Sequence, residues 1–353
     1  MIAGVSTPEG THGFAARHAP LQAHGFFRPA QRRAISSLGL GTYLGASNEE
    51  TDARYVASVL AAVRGGINFL DTSLNYRHQR SERNVGVALR TLLGERAECR
   101  REELVVCTKA GYLVPDAIPH DRLRPDDIVG QMHSMAPAFL EDQLERSRTN
   151  LGLATIDVFY LHNPETQLGF VAEAEFLARC RAAFEALEGA VAAGGIAYYG
   201  MATWEGFRQR EGGLSLVRLE QVAREVAGEQ HRFRFIQLPV NLAMTEAYTL
   251  RREAWPNGER TTVLEAAARL GITVVASASL LQARLTQGLP EKLASVFPGA
   301  NSDALRAIQF TRSTPGVASA LVGMSRPEHV ESNLAVARLR PVGAEQYAAL
   351  FSA

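Results

Sequence analysis

Four polar side chains that could together move a proton each follow a short apolar run. They are Asp71, Tyr76, Lys109 and His162. A short continuous apolar run is typical of a strand buried on both faces, so each residue lies at a strand's C-terminal end or in the loop after it. In a parallel α/β barrel these strand ends all open onto one face, where catalytic groups gather. The sequence therefore predicts that the four side chains converge.

The four residue types suit proton donation to an oxygen that gains negative charge. A tyrosine has an ordinary pKa of about 10, so it is a poor acid unless its phenolate is stabilised. A lysine lowers that pKa, a carboxylate fixes the lysine, and a histidine can orient a carbonyl. Singly, Asp71 could be a turn cap, Lys109 a solvated cation and His162 an ordinary loop histidine. Their joint occurrence at three successive strand ends favours the catalytic interpretation.

Apolar runs and helical patterns alternate eight times along the chain. Such alternation implies parallel strands joined by right-handed crossovers. Strands are predicted near 38–42, 67–71, 104–108, 156–161, 197–201, 233–238, 272–277 and 318–322. Helices are predicted at 49–64, 81–93, 138–151, 173–193, 214–228, 260–270, 302–313 and 327–338. We therefore predict an α/β fold, a closed (β/α)₈ TIM barrel in a single domain.

A doubly wound nucleotide-binding sheet is the rival fold, and it needs a GxGxxG segment after the first strand. The segment from Gly39 to Gly45 has its third glycine one residue too late. Residues 46–48 after it resemble a loop and an N-cap rather than a helix. We assign the barrel to residues 34–353. Residues 1–33 are expected to be an N-terminal leader that is either flexible or partly ordered over the barrel bottom.

Composition excludes several classes of function. Of the 353 residues, Lys+Arg and Asp+Glu both number 37, so no global field would recruit nucleic acid or an anionic membrane. No apolar run is long enough to span a membrane. The three cysteines form no CxxC pair, which suggests a reducing compartment and a cytoplasmic location. The nine histidines include no HxH or HExxH pair, so no metal site is predicted.

The chain resembles the aldo-keto reductase superfamily over residues 38–337, in motifs that agree in order and spacing. The matching motifs are Leu38-Gly-Leu-Gly-Thr42, Asn68-Phe-Leu-Asp-Thr72, Arg80-Ser-Glu82, Thr108-Lys109, Asp157-Val-Phe-Tyr-Leu-His-Asn-Pro-Glu165, Phe235-Ile-Gln-Leu-Pro-Val-Asn241 and the segment from Val322 to Asn333. The resemblance implies a barrel that binds NAD(P)H without a Rossmann domain. It also implies Tyr76 as general acid, Lys109 and Asp71 as the groups that tune it, and His162 as the group that positions the carbonyl.

The resemblance further implies a set of cofactor-binding residues: Gly41, Thr42, Tyr43, Thr203, Gln237, Ser277, Leu280, Gly323, Ser325, Arg326, His329 and Asn333. Three departures from the family pattern stand out. Ser277 replaces a stacking aromatic, Ala202-Thr203 replaces a Ser-Asn pair, and Gly323 and His329 replace cations for the 2′-phosphate. Arg326 remains as the nearest fixed cation. We therefore expect NADPH as cofactor, with a weakened preference that leaves NADH as an alternative.

Three loops are predicted to shape a substrate pocket for a small carbonyl compound. They are 111–137, 203–213 and 244–258, and loops of this length in a compact barrel are usually functional. We name Tyr112, Trp204 and Trp255 as substrate-contacting candidates. Their aromatic content favours an apolar carbonyl substrate, while Arg251 and Arg252 leave a sugar or a carboxylate-bearing substrate open. The sequence does not indicate an oligomeric state.

The leading functional hypothesis is NAD(P)H-dependent reduction of an aldehyde or ketone to an alcohol, with Tyr76 as the proton donor. One alternative is a non-catalytic cofactor-binding redox sensor, as in the potassium-channel β subunits that resemble reductases. A second is a Schiff-base aldolase, because a desolvated lysine at a barrel strand end can be a nucleophile.

Overall fold

The computed structural model describes residues 1–95 and 97–352, and its centre is a closed barrel of eight parallel strands. In chain order the strands are β1 Leu38–Gly41, β2 Phe69–Asp71, β3 Val105–Ala110, β4 Ile156–His162, β5 Ile196–Ala202, β6 Phe233–Pro239, β7 Thr273–Ser277 and β8 Val317–Gly323. Each strand pairs in parallel with its neighbours in sequence, and β8 closes the ring against β1. The predicted (β/α)₈ barrel is confirmed.

A helix follows each barrel strand and packs on its outside. The helices are α1 Glu49–Arg64, α2 Arg80–Arg90, α3 Pro137–Leu151, α4 Glu173–Ala192, α5 Leu216–Ala227, α6 Val263–Arg269, α7 Asp303–Ser313 and α8 Pro327–Leu334. Local signals set their ends. The Asn48 side chain caps α1, a proline occupies the first turn of α3 and of α8, and Gly152 ends α3 in the left-handed conformation.

The strands are buried on both faces, which explains why they appear as continuous apolar runs. One set of side chains fills the barrel interior, with Phe69, Val105, Tyr160 and Phe235 among its members. The other set packs outward against the helices in the main hydrophobic core. Cys107 belongs to the interior set, and all three cysteines are buried and free.

The first 33 residues lie at the N-terminal end of the barrel and contain regular structure. A helix runs over Pro8–Arg17, and an antiparallel hairpin pairs Phe27–Ala30 with Arg33–Ser36. Ala30 and Ile35 of this hairpin pack with the interior side chains of the barrel. The hairpin thus covers the end opposite the strand C-termini, and the boundary we placed between residues 33 and 34 falls inside it.

Additional segments extend the loops at the barrel's C-terminal face. Two short hairpins pair Ile128–Val129 with His133–Ser134, and Glu253–Ala254 with Arg260–Thr261. After β7 the chain passes through residues 278–286, where four non-glycine residues have positive φ. Among the described residues, no helix is both long enough and apolar enough to cross a membrane.

Candidate active site

A buried ion pair at the ends of β2 and β3 forms the base of the site. Lys109 Nζ lies 2.5 Å from Asp71 Oδ1 and donates a second hydrogen bond to the Thr72 carbonyl at 2.8 Å. Gln237 Nε2 donates to the other Asp71 oxygen at 2.8 Å. Burial lowers the pKa of Lys109, but the charge of Asp71, the nearby Tyr76 and the hydrogen bond to Asp71 together outweigh it and raise the net pKa. Lys109 therefore remains an ammonium.

Tyr76 lies over this ion pair, in the loop between β2 and α2. Lys109 Nζ is 4.9 Å from the centroid of the Tyr76 ring, and the Tyr43 ring lies 5.0 Å away on another side. Burial raises the pKa of the Tyr76 phenol, and the Lys109 charge opposes that rise without reversing it. Lys109 therefore lowers the pKa of Tyr76, as the sequence led us to expect, but burial raises it by more. Tyr76 consequently keeps its proton at neutral pH and can donate it.

His162 completes the group at the end of β4. Its ring meets the Tyr76 ring edge to face, with centroids 5.7 Å apart, and its Nδ1 lies 3.2 Å from Ser73 Oγ. Burial, and then the Lys109 charge, lower the pKa of His162 well below its usual value. The imidazole is therefore neutral, so it can form hydrogen bonds to a substrate oxygen without adding a charge.

A second histidine supports His162 from behind. His133 Nε2 lies 2.7 Å from the His162 carbonyl and must donate to it, while His133 Nδ1 accepts from Gln167 Nε2 at 2.9 Å. Burial lowers the pKa of His133 to about 4, which keeps this ring neutral as well. Glycine is required at Gly111, since a Cβ there would lie 2.5 Å from the His162 carbonyl oxygen. From the sequence, His133 was predicted only to lie in one of the loops that shape the pocket, and Ser73 was not identified as a site residue.

A cavity of about 860 Å³ opens above these residues at the C-terminal face of the barrel. Most of the residues predicted from the sequence line it. They are Asp71, Tyr76 and His162, with Gly41, Thr42, Tyr43, Thr203, Gln237, Ser277, Leu280, Gly323, Ser325, His329, Asn333, Tyr112 and Trp204. Lys109 lies behind Asp71, fully buried. The loop after β7 also lines the cavity, through Gln282, Ala283 and Thr286, which were not predicted from the sequence.

Two further predicted residues, Trp255 and Arg326, lie outside this lining, and the prediction for Trp255 is corrected. Trp255 belongs to the hairpin of residues 253–261, where its indole N–H donates to Thr261 Oγ1 and the Arg269 guanidinium stacks over its ring. It therefore packs beside α6 and not against a substrate. Arg326 is the exposed N-cap residue of α8, next to Ser325 of the cavity wall. No acidic side chain in the described parts of the chain pairs with it.

Several polar groups of the cavity wall could hold a bound cofactor. Thr203 Oγ1 and Ser279 Oγ are buried and have no hydrogen-bond partner among the described residues. One N–H of the Gln237 amide donates to Asp71, which leaves the amide carbonyl oxygen and the second N–H to contact a ligand. At the first turn of α8, which begins at Pro327, the Glu328 backbone N–H has no partner among the described residues, and the positive end of the helix dipole lies beside Ser325. Orphaned hydroxyls and a helix N-terminus along the wall of one cavity suit a dinucleotide.

The fold and site define a (β/α)₈ barrel in which Asp71, Lys109 and His162 at strand C-termini converge with Tyr76 of the loop after β2. The chain belongs to the aldo/keto reductase family, whose model matches residues 37–353.

Two curated relatives match parts of the chain. A 2,5-diketo-D-gluconic acid reductase B from Corynebacterium sp. (strain SHS752001) is 31% identical over 137 residues, which cover 39% of this chain and 38% of the relative. A D-threo-aldose 1-dehydrogenase from Pseudomonas sp. is 33% identical over 114 residues, covering 30% of this chain and 32% of the relative. The chain thus matches less than two-fifths of the length of either relative.

Solved structures of aldo/keto reductases share the fold over nearly the whole chain. One from Klebsiella pneumoniae, in complex with NADP and acetate, is 21% identical, covers 93% of this chain and 94% of its own, and has a TM-score of 0.64. A glycerol dehydrogenase from Gluconobacter oxydans is 21% identical, covers 92% of this chain and 94% of its own, and has a TM-score of 0.65.

Proposed function

We propose that this protein reduces an aldehyde or ketone to an alcohol, with NADPH as the hydride source and Tyr76 as the proton donor. The observation that carries the proposal is the convergence of Tyr76, Lys109, Asp71 and His162 at one end of the large cavity. These groups come from three successive strands and the loop after β2, so the fold holds them in fixed positions.

Each residue has a role that follows from its environment. Tyr76 remains protonated and gives its proton to the oxygen that develops negative charge. The Lys109 ammonium stabilises the phenolate left behind, and Asp71 holds that ammonium in place. Neutral His162 fixes the carbonyl oxygen near the phenol. When bound, the nicotinamide cofactor supplies the hydride.

The cavity wall opposite Tyr76 supports NADPH as the cofactor. Thr203 and Gln237 are suited to hold a carboxamide, because each offers an unsatisfied or free polar atom. The α8 N-terminus, with Ser325, His329 and Arg326 around it, is suited to hold a phosphate. Two similar aldo/keto reductase structures from Klebsiella pneumoniae contain NADP or NADPH, and this similarity supports NADPH as the cofactor here.

The two alternatives are less well supported. A Schiff-base aldolase needs a neutral, accessible lysine amine, whereas Lys109 is fully buried, charged and paired with Asp71. A non-catalytic redox sensor would need only the residues that bind the cofactor. Such a role would not require Tyr76, Lys109, Asp71 and His162 to lie together.

The direct test is to incubate the purified protein with propanal and with NADPH that carries deuterium at the transferable position. We expect the cofactor absorbance to fall, and we expect mass spectrometry to find propanol with one deuterium. Borohydride treatment in the presence of substrate separates the aldolase alternative, since it would trap an adduct on Lys109. Cofactor binding without oxidation across a panel of aldehydes and ketones would overturn the proposal in favour of the sensor.

A further inference from the structure

We propose that the substrate is an uncharged aldehyde or ketone with an aromatic or aliphatic body, and that the site rejects carbonyl compounds that carry a carboxylate or phosphate. This inference rests on the proposed function and specifies its substrate class. It depends on two observations, the charges around the cavity and the apolar side chains at its mouth.

Among the described residues, no fixed cation lines the cavity that a charged substrate would enter. Neither a lysine nor an arginine lines the cavity in the described parts of the chain. Six arginines lie on loops 111–137, 203–213 and 244–258, and none of them lines the cavity. Four of the six pair within the protein, the first being Arg124 with Asp127 at 3.0 Å. Arg208 pairs with Glu246 at 2.8 Å, Arg251 with Glu265 at 3.1 Å, and Arg252 donates to the Leu214 carbonyl and pairs with Glu253 at 3.3 Å. The sequence left a carboxylate-bearing substrate open because of Arg251 and Arg252, and both arginines pair within the protein instead.

An anionic substrate would also meet unfavourable surroundings near Tyr76. Asp71 lines the cavity below the phenol, and Lys109, its one cationic partner among the described residues, is buried behind it. Both histidines next to the site are neutral. A carboxylate placed here would lose its hydration without gaining an opposite charge, which is costly in a partly enclosed site.

The mouth of the cavity instead offers apolar surface. Tyr43, Leu44 and Trp204 are 54%, 43% and 38% exposed, and they are three of the eight large hydrophobic residues exposed in the described structure. Exposed apolar side chains grouped around one opening mark a binding surface. The Tyr112 ring, 5.2 Å from the His162 ring, continues this wall into the cavity.

The Trp204 wall is held in place before any ligand binds. Glu165 Oε1 accepts hydrogen bonds from three consecutive backbone N–H groups, at 2.7 Å from Trp204, 3.0 Å from Glu205 and 3.3 Å from Gly206. Phe207 is fully buried directly after them and anchors the loop. An apolar wall fixed in this way can bind a ring or alkyl chain with little loss of conformational entropy.

The experiment compares three aldehydes: propanal, 3-phenylpropanal and 3-(4-carboxyphenyl)propanal. Two methylene groups insulate the aldehyde from the ring, so the carboxylate changes the charge without changing the reactivity of the carbonyl. We expect kcat/KM to rise about tenfold or more from propanal to 3-phenylpropanal because the ring is buried against the aromatic wall. We expect it to fall about tenfold or more when the ring carries the carboxylate.

Three variants test which residues cause these substrate preferences. Trp204→Ala should reduce the ratio of kcat/KM for 3-phenylpropanal to that for propanal, whereas the matched control Trp255→Ala removes the other tryptophan, outside the cavity, and should leave the ratio unchanged. Leu44→Arg adds a cation at the mouth and should raise kcat/KM for the carboxylated aldehyde relative to its parent. Thermal melts verify that each variant is folded.

Equal or better use of the carboxylated aldehyde by the unmutated protein would overturn the inference while leaving the proposed function intact. Reduction of none of the three aldehydes would instead count against the proposed function. In that event the same comparison is made by equilibrium binding of the three corresponding alcohols, followed through Trp204 fluorescence in a Trp255→Phe background. Equal affinities for the charged and uncharged aromatic alcohols would then overturn the inference.

Discussion

Replacement of Lys109 by methionine removes one member of a buried ion pair, and its cost can be worked out from the structure. The side chain of Asp71 is only 3% exposed, and that of Lys109 is 0% exposed. Removing one partner of such a pair leaves a buried charge unpaired, which costs about 3–5 kcal/mol of unfolding free energy. We expect Lys109→Met to be destabilised by this amount near neutral pH, and to lose carbonyl reduction by about a hundredfold or more.

The cost should depend on pH in a definite direction. Burial raises the pKa of Asp71, and the variant lacks the Lys109 charge that opposes the rise. A carboxyl group whose folded pKa is raised binds protons more readily in the folded state, so its contribution to stability is complete below the unfolded pKa and is lost as the pH rises towards the folded pKa. The destabilisation should therefore grow as the pH rises above the unfolded pKa, by up to about 1.4 kcal/mol per pH unit, and should be larger at about pH 8 than at about pH 5.

Urea unfolding, followed by circular dichroism at the two pH values, measures both effects. The control is the double variant Asp71→Asn/Lys109→Met, which has no buried charge at this position. It should recover much of the lost stability and show little pH dependence, yet remain inactive. A single variant as stable as the unmutated protein at both pH values would refute the reasoning, as would equal stabilities of the single and double variants.

Three further substitutions test the surroundings of the site. Arg326→Ala should weaken NADPH binding about tenfold or more and leave NADH binding unchanged, as measured by fluorescence titration, because Arg326 is the nearest fixed cation to the α8 N-terminus. Glu165→Gln should raise KM for 3-phenylpropanal more than for propanal, since the loop that holds Trp204 loses charge-assisted hydrogen bonds. Ser73→Ala should lower kcat about three- to tenfold without changing cofactor affinity, because His162 Nδ1 loses its partner.

The barrel and the centre of the site could be predicted from the sequence because both follow from strand periodicity. Parallel strands buried on both faces give continuous apolar runs, and the residues directly after them must lie at one end of the barrel. Asp71, Lys109 and His162 were therefore placed by position alone. Tyr76, five residues beyond Asp71, was placed by its spacing and by the family resemblance.

The supporting residues could not be predicted, because they depend on contacts between distant segments. His133 reaches the His162 carbonyl only because a two-residue hairpin strand folds back across 29 positions of sequence. The N-terminal hairpin turns at Gln31 and Arg32, both with positive φ. A tight hairpin usually places glycine or asparagine at such positions, so the usual turn signal was absent.

The error at Trp255 is different, since a signal for it was present. Pro256-Asn257-Gly258 follows the tryptophan directly and is typical of a tight turn. The turn closes the hairpin of residues 253–261 and directs Trp255 towards Arg269 of α6. Aromatic content alone was a poor guide to the cavity wall, because a tryptophan in a long loop can equally pack against the scaffold.

The central claim, that Tyr76 donates the proton in carbonyl reduction, is tested most directly by Tyr76→Phe. The measurement is single-turnover reduction of 3-phenylpropanal by protein preloaded with NADPH, with cofactor affinity determined separately by fluorescence. Tyr248→Phe removes a phenol hydroxyl outside the cavity and serves as the control. We expect Tyr76→Phe to bind NADPH as the unmutated protein does and to reduce the aldehyde about 10²- to 10⁴-fold more slowly. Reduction at the unmutated rate would contradict the assignment.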